Sequence, residues 1–567
     1  PEPAVISGQS TPAGERPLPA LTIEGEWLDL FRGKSKTRLE EVLAGYVPER
    51  RWFGGKARRL KGTQIVESIP VPFNGESAQL ALVKVEYTEG DPETYVLPLA
   101  RTSGEHAAQL RERAPHAVVA QLRQRGTSGE STEILYDALA EGHFADALLD
   151  AIARRRRFKG SVGELNALAG TAFRATRGQS DVPLTATVST AEQSNSSLIF
   201  GDRLILKVFR KLGEGINPDY EVGRFLTESA NFPHTAPVVG AIEYNHGRGD
   251  PTTVALLQGF VPNEGDAWRY TLDAIGPYFE RVVAREQSAE LPVLPEQSVL
   301  NLSMLDPSTL AEETIGGYLE VARHLGQRTA EMHLALASLN DQPAFAPEPF
   351  SALYQRSLYQ SLRSLLSRVF HTLDSRLVSL PADTVESARG LLGREGEVLR
   401  RFRSIVDQKI NASRIRCHGD FHLGQVLYTG RDFVIIDFEG EPARSLGERR
   451  IKRSPLIDVA GMLRSFHYAA STGFVNASHT GVLRPEDLGA TEPWVRFWHT
   501  WVSAAFLKSY LATSDGAPFI PANHDELAIL LDAFLMEKAI YELGYELNNR
   551  PAWVKIPLGG IVQLLGA

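Results

Sequence analysis

Cysteine is almost missing: Cys417 is the only one in 567 residues. That excludes an intrachain disulfide and any multi-cysteine metal site, and it suits a reducing cytoplasm. Its place beside His418 fits a Cys/His nucleophile, and fits equally a small apolar residue at the end of a buried strand. The chain also lacks any uninterrupted apolar run of about eighteen residues, the length a membrane helix needs, and has no charged-then-apolar segment at its start. Neither a membrane span nor an export signal is expected. A surplus of positive charge is missing too. The formal net charge of −9 argues against nonspecific binding to nucleic acid or to anionic membranes. The first residue is Pro1 rather than Met, as in a processed chain or a piece of a longer polypeptide. With 43% hydrophobic and 23% charged residues the composition is that of a soluble globular protein, long enough for roughly two to four domains.

What the chain does have is concentrated in residues 416–441, RCHGDFHLGQVLYTGRDFVIIDFEGE, where Asp420 and Asp437 stand seventeen positions apart. Between them, 425–428 and 432–436 have the apolar, β-branched character of strands, and Thr429-Gly430-Arg431 suits the connection of a hairpin. Such a hairpin returns the two carboxylates to one end of a small sheet. A pair placed this way can share phosphoryl transfer. Asp420 positions an attacking hydroxyl and accepts its proton, while Asp437 holds Mg2+ against nucleotide phosphates.

The pattern HGDxHxxxx, followed by a strand pair ending in IDF, resembles the catalytic centre of aminoglycoside phosphotransferases, choline kinases and their sugar-kinase relatives. In that superfamily the position of Gln425 is usually Asn and supplies the second protein ligand to magnesium. The longer string HGDFHLGQVL…IIDFEGEP, with Glu439 where protein kinases have Gly, resembles bacterial maltokinases. The resemblance implies an α+β, bilobal fold like that of eukaryotic protein kinases, with an N-terminal α+β cap subdomain and a mostly helical C-lobe. It further implies ATP and Mg2+ as cofactors, Gln425 and Asp437 as metal ligands, and His418 as a support for the catalytic loop.

Residues 1–20, rich in Pro, Gly, Ser and Ala, read as a flexible leader or linker. Helical spacing over 27–46, the cluster RRWFGGK at 50–56 and strand-like runs at 63–71, 79–87 and 94–99 predict a small α+β module spanning 21–105. RRWFGGK resembles the start of the maltokinase cap, and an aromatic staple with its arginines in solvent accounts for it as well. Residues 107–125, 137–157 and 162–177 read as mainly helical or mixed. The four arginines at 154–157 fit a solvated helix end better than a phosphate or RNA contact.

The segment 106–264 carries the nucleotide signals. Runs 197–200 and 204–209 flank Gly201-Asp202 as a hairpin turn. The two-residue period puts Leu204, Leu206 and Val208 on one face and Ile205, Lys207 and Phe209 on the other. By the resemblance, Lys207 is the strand lysine that contacts nucleotide phosphates and pairs with a helix carboxylate. Glu221 is the candidate partner, with Asp219 and Glu228 as competitors. Ser194, Asn195 and Ser196 fall where protein kinases carry a Gly-rich phosphate-covering loop, here without its glycines; hydroxyl, amide and main-chain donors would replace them. The run 252–261 resembles the strand leading into the hinge, with backbone near Gln258 and Phe260 expected to hold adenine.

Residues 265–567 form the expected helical lobe. His324 and His333 read as structural, and Asp458, in the first turns of a helix opened by Ser454-Pro455, as a brace for the catalytic loop. Lys538, Tyr541 and Tyr545 recur at i, i+3 and i+7 and so share one helical face. Core tyrosines beside a snorkelling lysine give the same pattern. The similarity of KxxYExxYExxNRPxW to the maltokinase C-terminal signature implies instead that all three line a maltose site. The expectation is a cytoplasmic enzyme that transfers the γ-phosphoryl of ATP to the anomeric hydroxyl of maltose, giving maltose 1-phosphate, with Asp420 at the acceptor. The resemblance also implies association or fusion with a trehalose synthase, on the route from trehalose to α-glucan. Two alternatives stand beside it: a kinase of the same fold for glucosamine, another sugar or an aminoglycoside, and a nucleotide-binding pseudokinase without turnover.

Overall fold

A computed structural model gives the architecture, and it describes residues 18–23, 25–124, 133–179, 182, 184–189, 194–247, 249–286 and 291–566. The expected leader lies, as far as residue 17, outside them, and so does Gln193 ahead of the serine-rich stretch. The chain is α+β and divides into two compact units, one formed by residues 230–235 with 263 onward, the other by the chain up to 229 with 236–262.

In the unit that precedes residue 263, the described strands form two seven-stranded sheets. The first contains β1 (Ala20–Ile23), β2 (Leu60–Phe73), β3 (Glu76–Tyr87), β4 (Glu93–Thr102), β5 (Val118–Gln124) and β6 (Ile134–Asp137), in the order β1-β5-β6-β4-β3-β2. The second takes β7 (Arg157–Lys159), β8 (Glu164–Ala169), β9 (Ala186–Val188), β10 (Asn195–Phe200) and β11 (Leu204–Phe209). After β12 (Lys211–Leu212), which joins β4 of the first sheet, it adds β13 (Val238–Asn245) and β14 (Thr252–Gly259). Strand β3 shows why the first sheet is buried on both faces. Leu80 and Leu82 enter a core shared with Phe144, Leu148 and Ile152, whereas Ala81, Val83 and Val85 enter one shared with Leu39 and Leu43.

The boundary expected at 105 therefore cuts a sheet. Strands β5 and β6 complete it, β5 running parallel to β1 from the start of the chain. The runs around Val118 and Ile134 lie between helix-compatible stretches, and only their distant partners make them strands. The RRWFGGK cluster is a packing device: Phe53 is buried, the Arg50 guanidinium lies 4.3 Å from the Tyr46 ring centre, and Trp52 covers Arg210 at 5.0 Å. Arg210 itself is a buried cation between the sheets. It reaches the Asp137 carboxylate at 2.7 Å, and donates to the Ser196 hydroxyl at 2.7 Å and the Val96 carbonyl at 3.3 Å.

The other unit is mostly helical, built on long helices such as Tyr318–Leu336, Ala352–Arg376, Leu456–His479, Leu488–Thr513 and His524–Asn549. It also holds two short antiparallel pairs. One joins β15 (Glu348–Pro349) to β16 (Ser413–Arg414); the other is the hairpin of β17 (Val426–Tyr428) and β18 (Phe433–Ile435), in register Val426 to Ile435. The hairpin is shorter than its apolar pattern suggests by Gln425, Asp432 and Ile436. Gln425 belongs to a preceding 3-10 turn, and Asp432 leaves the ladder to meet Arg328 (2.8 and 2.9 Å) and His324 (2.7 Å). Burial disfavours the Asp432 charge, but those two partners outweigh it and hold the carboxyl far below the usual range.

Candidate active site

Asp458, in the first turn of the helix Leu456–His479, is fully buried and organises the loop ahead of the hairpin. Its carboxylate accepts the N–H groups of His418 (2.8 Å) and Gly419 (2.9 Å) and stands 3.0 Å from Nε2 of His333. The other ring nitrogen of His333 meets the Tyr510 hydroxyl at 3.0 Å. Burial opposes a charge on Asp458; the hydrogen bonds outweigh it and keep its carboxyl below the ordinary value. The helix can come this close because residue 461 is glycine. A Cβ there would lie 2.4 Å from the carbonyl oxygen of Phe421.

The two halves of the motif are tied directly. His418 Nε2 donates to the carbonyl of Ile436 at 2.9 Å, and a Cβ on Gly419, whose φ is +86°, would touch the Cα of Gly440 at 3.3 Å. Asp437 has φ of +67°, a left-handed conformation uncommon for a residue with a side chain and typical of over-determined functional positions. Its Oδ2 accepts from Gln425 Nε2 at 2.9 Å. The two side chains expected to share a cation are thus adjacent, joined through the Gln425 amide nitrogen.

Asp420 meets the distant helix His524–Asn549. Its Oδ1 lies 3.4 Å from the Lys538 ammonium, which in turn stands 5.2 Å from the ring centre of Tyr541. The Tyr541 hydroxyl donates to Oε1 of Glu441. Tyr545, one turn further on, is 46% exposed with the Arg550 guanidinium 5.5 Å from its ring centre, so it flanks this cluster rather than entering its hydrogen bonds. Burial works against both charges of the central pair. Even so, Lys538 and the neighbouring histidines hold the Asp420 carboxyl below its usual range, while Asp420, Glu441 and Glu542 hold the Lys538 ammonium above its own. Glu441 behaves in the opposite sense, its carboxyl pushed up by burial and by Asp420 against the pull of Lys538 and Tyr541.

In the other unit Lys207 lies on β11 on the less buried face, as its period predicts. A carboxylate that holds it is Asp219, at 3.2 Å, one of the expected competitors of Glu221. The helix Pro218–Glu228 presents Asp219 from its first turn, fixed by the Asn217 side chain capping its N–H at 2.8 Å; Glu221, in the same turn, is buried as well. The serine-rich stretch differs from a covering loop. Ser194 is exposed, but Asn195 and Ser196 are already inside β10, and the Ser196 hydroxyl is taken by Arg210. The hinge region differs too. Gln258 is in the ladder opposite Ile205, and the N–H groups of Gly259 and Phe260 donate to the carbonyls of Pro237 and Arg203, both at 2.8 Å, so neither is a spare donor for adenine.

Sequence reasoning missed Glu441 and Arg210. The first stands four residues after Asp437 in a string already singled out; its link to Tyr541, 100 residues on, has no local mark. Arg210 reads as an edge charge next to Lys211 until the two sheets are seen.

The α+β fold with its helical C-terminal half is kinase-like. Solved glucosamine kinase structures share it: one in complex with glucosamine, ADP and inorganic phosphate aligns over 96% of this chain and 100% of its own, at a TM-score of 0.58 and 18% identity, and a second crystal form aligns over 93% and 99% with the same score. More particularly, residues 46–140 match the maltokinase N-terminal cap domain, a span that takes in β2 to β6 of the first sheet. In sequence the chain is similar to the glucosamine kinases of Streptacidiphilus jiangxiensis and Mycolicibacterium smegmatis. Each is 23% identical, over 74% and 66% of this chain and 81% and 78% of theirs.

Proposed function

We propose that this chain is an ATP-dependent sugar kinase whose acceptor is maltose, with maltose 1-phosphate as the product. The observation that carries the reading is the convergence of Lys538 and Tyr541 on the segment bearing Asp420 and Glu441, beside a histidine-braced loop and a capped kinase-like fold. Asp420 orients the attacking hydroxyl and accepts its proton, and it stays ionised because Lys538 neighbours it. His418 holds the loop through Ile436. The side chains of Gln425 and Asp437 are hydrogen-bonded neighbours, and a carboxylate together with an amide oxygen turned towards it would suit a hard cation such as Mg2+. Bound there, the cation would neutralise charge on the nucleotide phosphates. Lys207, steadied by Asp219, is the candidate phosphate ligand of its own unit, and the Lys538, Tyr541 and Tyr545 face takes the sugar. By the maltokinase resemblance, the enzyme acts in the cytoplasm on maltose delivered by a trehalose synthase.

Glucosamine is the second acceptor to weigh, because the relatives similar along most of the chain are named for it. ADP release with magnesium across maltose, glucosamine, glucose and an aminoglycoside, with the phosphate of the product located by NMR, separates the two. We expect turnover with maltose and phosphorylation at its anomeric oxygen, and a fall of roughly 10²–10⁴-fold in Asp420→Asn. Turnover with glucosamine alone, or an Asp420→Asn variant of near-normal rate, overturns the assignment.

A further inference from the structure

We infer that Glu441 is an acceptor-recognition residue, its carboxylate accepting a hydrogen bond from a sugar hydroxyl other than the one phosphorylated; the inference rests on the sugar-kinase reading of the Asp420 site. Glu441 is half-buried on the backbone that continues from Asp437 through Gly440, whose φ of +73° turns the chain there. Among the described residues one of its oxygens is used. Oε1 takes the Tyr541 hydroxyl, and Oε2 has no hydrogen-bond partner among the described residues. No cation stands within ion-pair distance of it among them either.

An ionised carboxylate accepts at about four lone-pair positions and donates at none, so one tyrosine leaves most of its capacity open. Holding such a group half out of water with a single donor is unfavourable unless another donor arrives. Burial and the nearby Asp420 push its carboxyl up against Lys538 and Tyr541, so a further donor would favour its charged form. A ligand rich in hydroxyls supplies them. Tyr541 then acts as a positioning residue, aiming Glu441 while its ring and Lys538 border the same space.

The test compares wild type, Glu441→Gln and Tyr541→Phe as full-length proteins. Acceptor KM, ATP KM and kcat are measured alongside thermal melting, using maltose and its monodeoxy derivatives. Glu441→Gln keeps the shape and is expected to raise the acceptor KM about tenfold or more while leaving ATP KM within about twofold. One monodeoxy maltose should lose a similar factor on wild type and nothing further on Glu441→Gln. An unchanged acceptor KM, or equal deoxy penalties on both proteins, refutes the inference. The two readings fail differently. If wild type phosphorylates another sugar, the maltose assignment falls and the same comparison runs with that sugar. Turnover of maltose with an indifferent Glu441→Gln removes this inference alone, and no transfer to any sugar removes both.

Discussion

The charge on Asp420 is set by a neighbour 118 positions further along the chain. Alone, a carboxyl so buried would be pushed up; with the Lys538 ammonium 3.4 Å away it is held down. The active form is the ionised one, so activity should persist as pH falls until the lowered Asp420 value is approached. In Lys538→Met the largest counterweight to burial is gone, leaving the neighbouring histidines, and the carboxyl rises. The acid limb of kcat/KM should then move to higher pH, in addition to any loss of sugar binding, and a pH profile at saturating ATP reads the two apart. An acid limb at the same pH in both proteins would show that Asp420 is not the titrating base. The direction of that shift depends on a pairing that i, i+3, i+7 spacing only half announces. Spacing puts Lys538, Tyr541 and Tyr545 on one helix face; it does not say which of them reaches Asp420.

Among the elements, those with their own periodicity were legible and those completed by distant partners were not. The hairpin β17–β18 was readable because Gly430 and two short β-branched runs mark it locally. The long helix Tyr318–Leu336 was readable from the spacing of its buried Leu319, Ala322, Leu325 and Ala330. Strand β5 lies in a stretch that reads as helical or mixed, and β6 falls almost wholly between the stretches with a reading, since their strand character comes from pairing with β1 and β4. The helix Leu456–His479 shows a further limit: its start was legible from Ser454-Pro455, but the need for Gly461 was not, because it comes from the Phe421 carbonyl of the catalytic loop. A methyl group 2.4 Å from that oxygen has nowhere to go, as both atoms are tied to backbone. Gly461→Ala should therefore cost about 1–3 kcal/mol by overpacking, even though alanine is the better helix former. It should also lower kcat by shifting the loop that carries Asp420, measurable as a denaturation midpoint and a rate on one preparation. An unchanged or raised midpoint would show that the loop can yield at no cost.

At the scale of the whole molecule, each unit has a core of its own, and the unit before residue 263 has two sheets to hold together. Apolar packing does most of this, as in the cluster joining Leu82 and Val96 to Leu198 and Leu206. What packing does not specify is the alignment of one sheet on the other, and Arg210 meets groups from both: Asp137 and the Val96 carbonyl of the first, Ser196 of the second. A buried pair is weak evidence for stability, because apolar replacement of both partners is often neutral. Removing one partner is another matter, since it strands a charge. Arg210→Met should destabilise its unit by about 3–5 kcal/mol, and Arg210→Met with Asp137→Leu by much less than the two single costs added together. Hydrogen exchange locates the effect: protection should fall across β4, β6 and β10 and hold in the helix Leu456–His479, whose buried Asp458 belongs to the other core. Additive costs would mean that the pair does not act as a unit, and a loss of protection spread evenly over both units would mean that the two cores unfold as one.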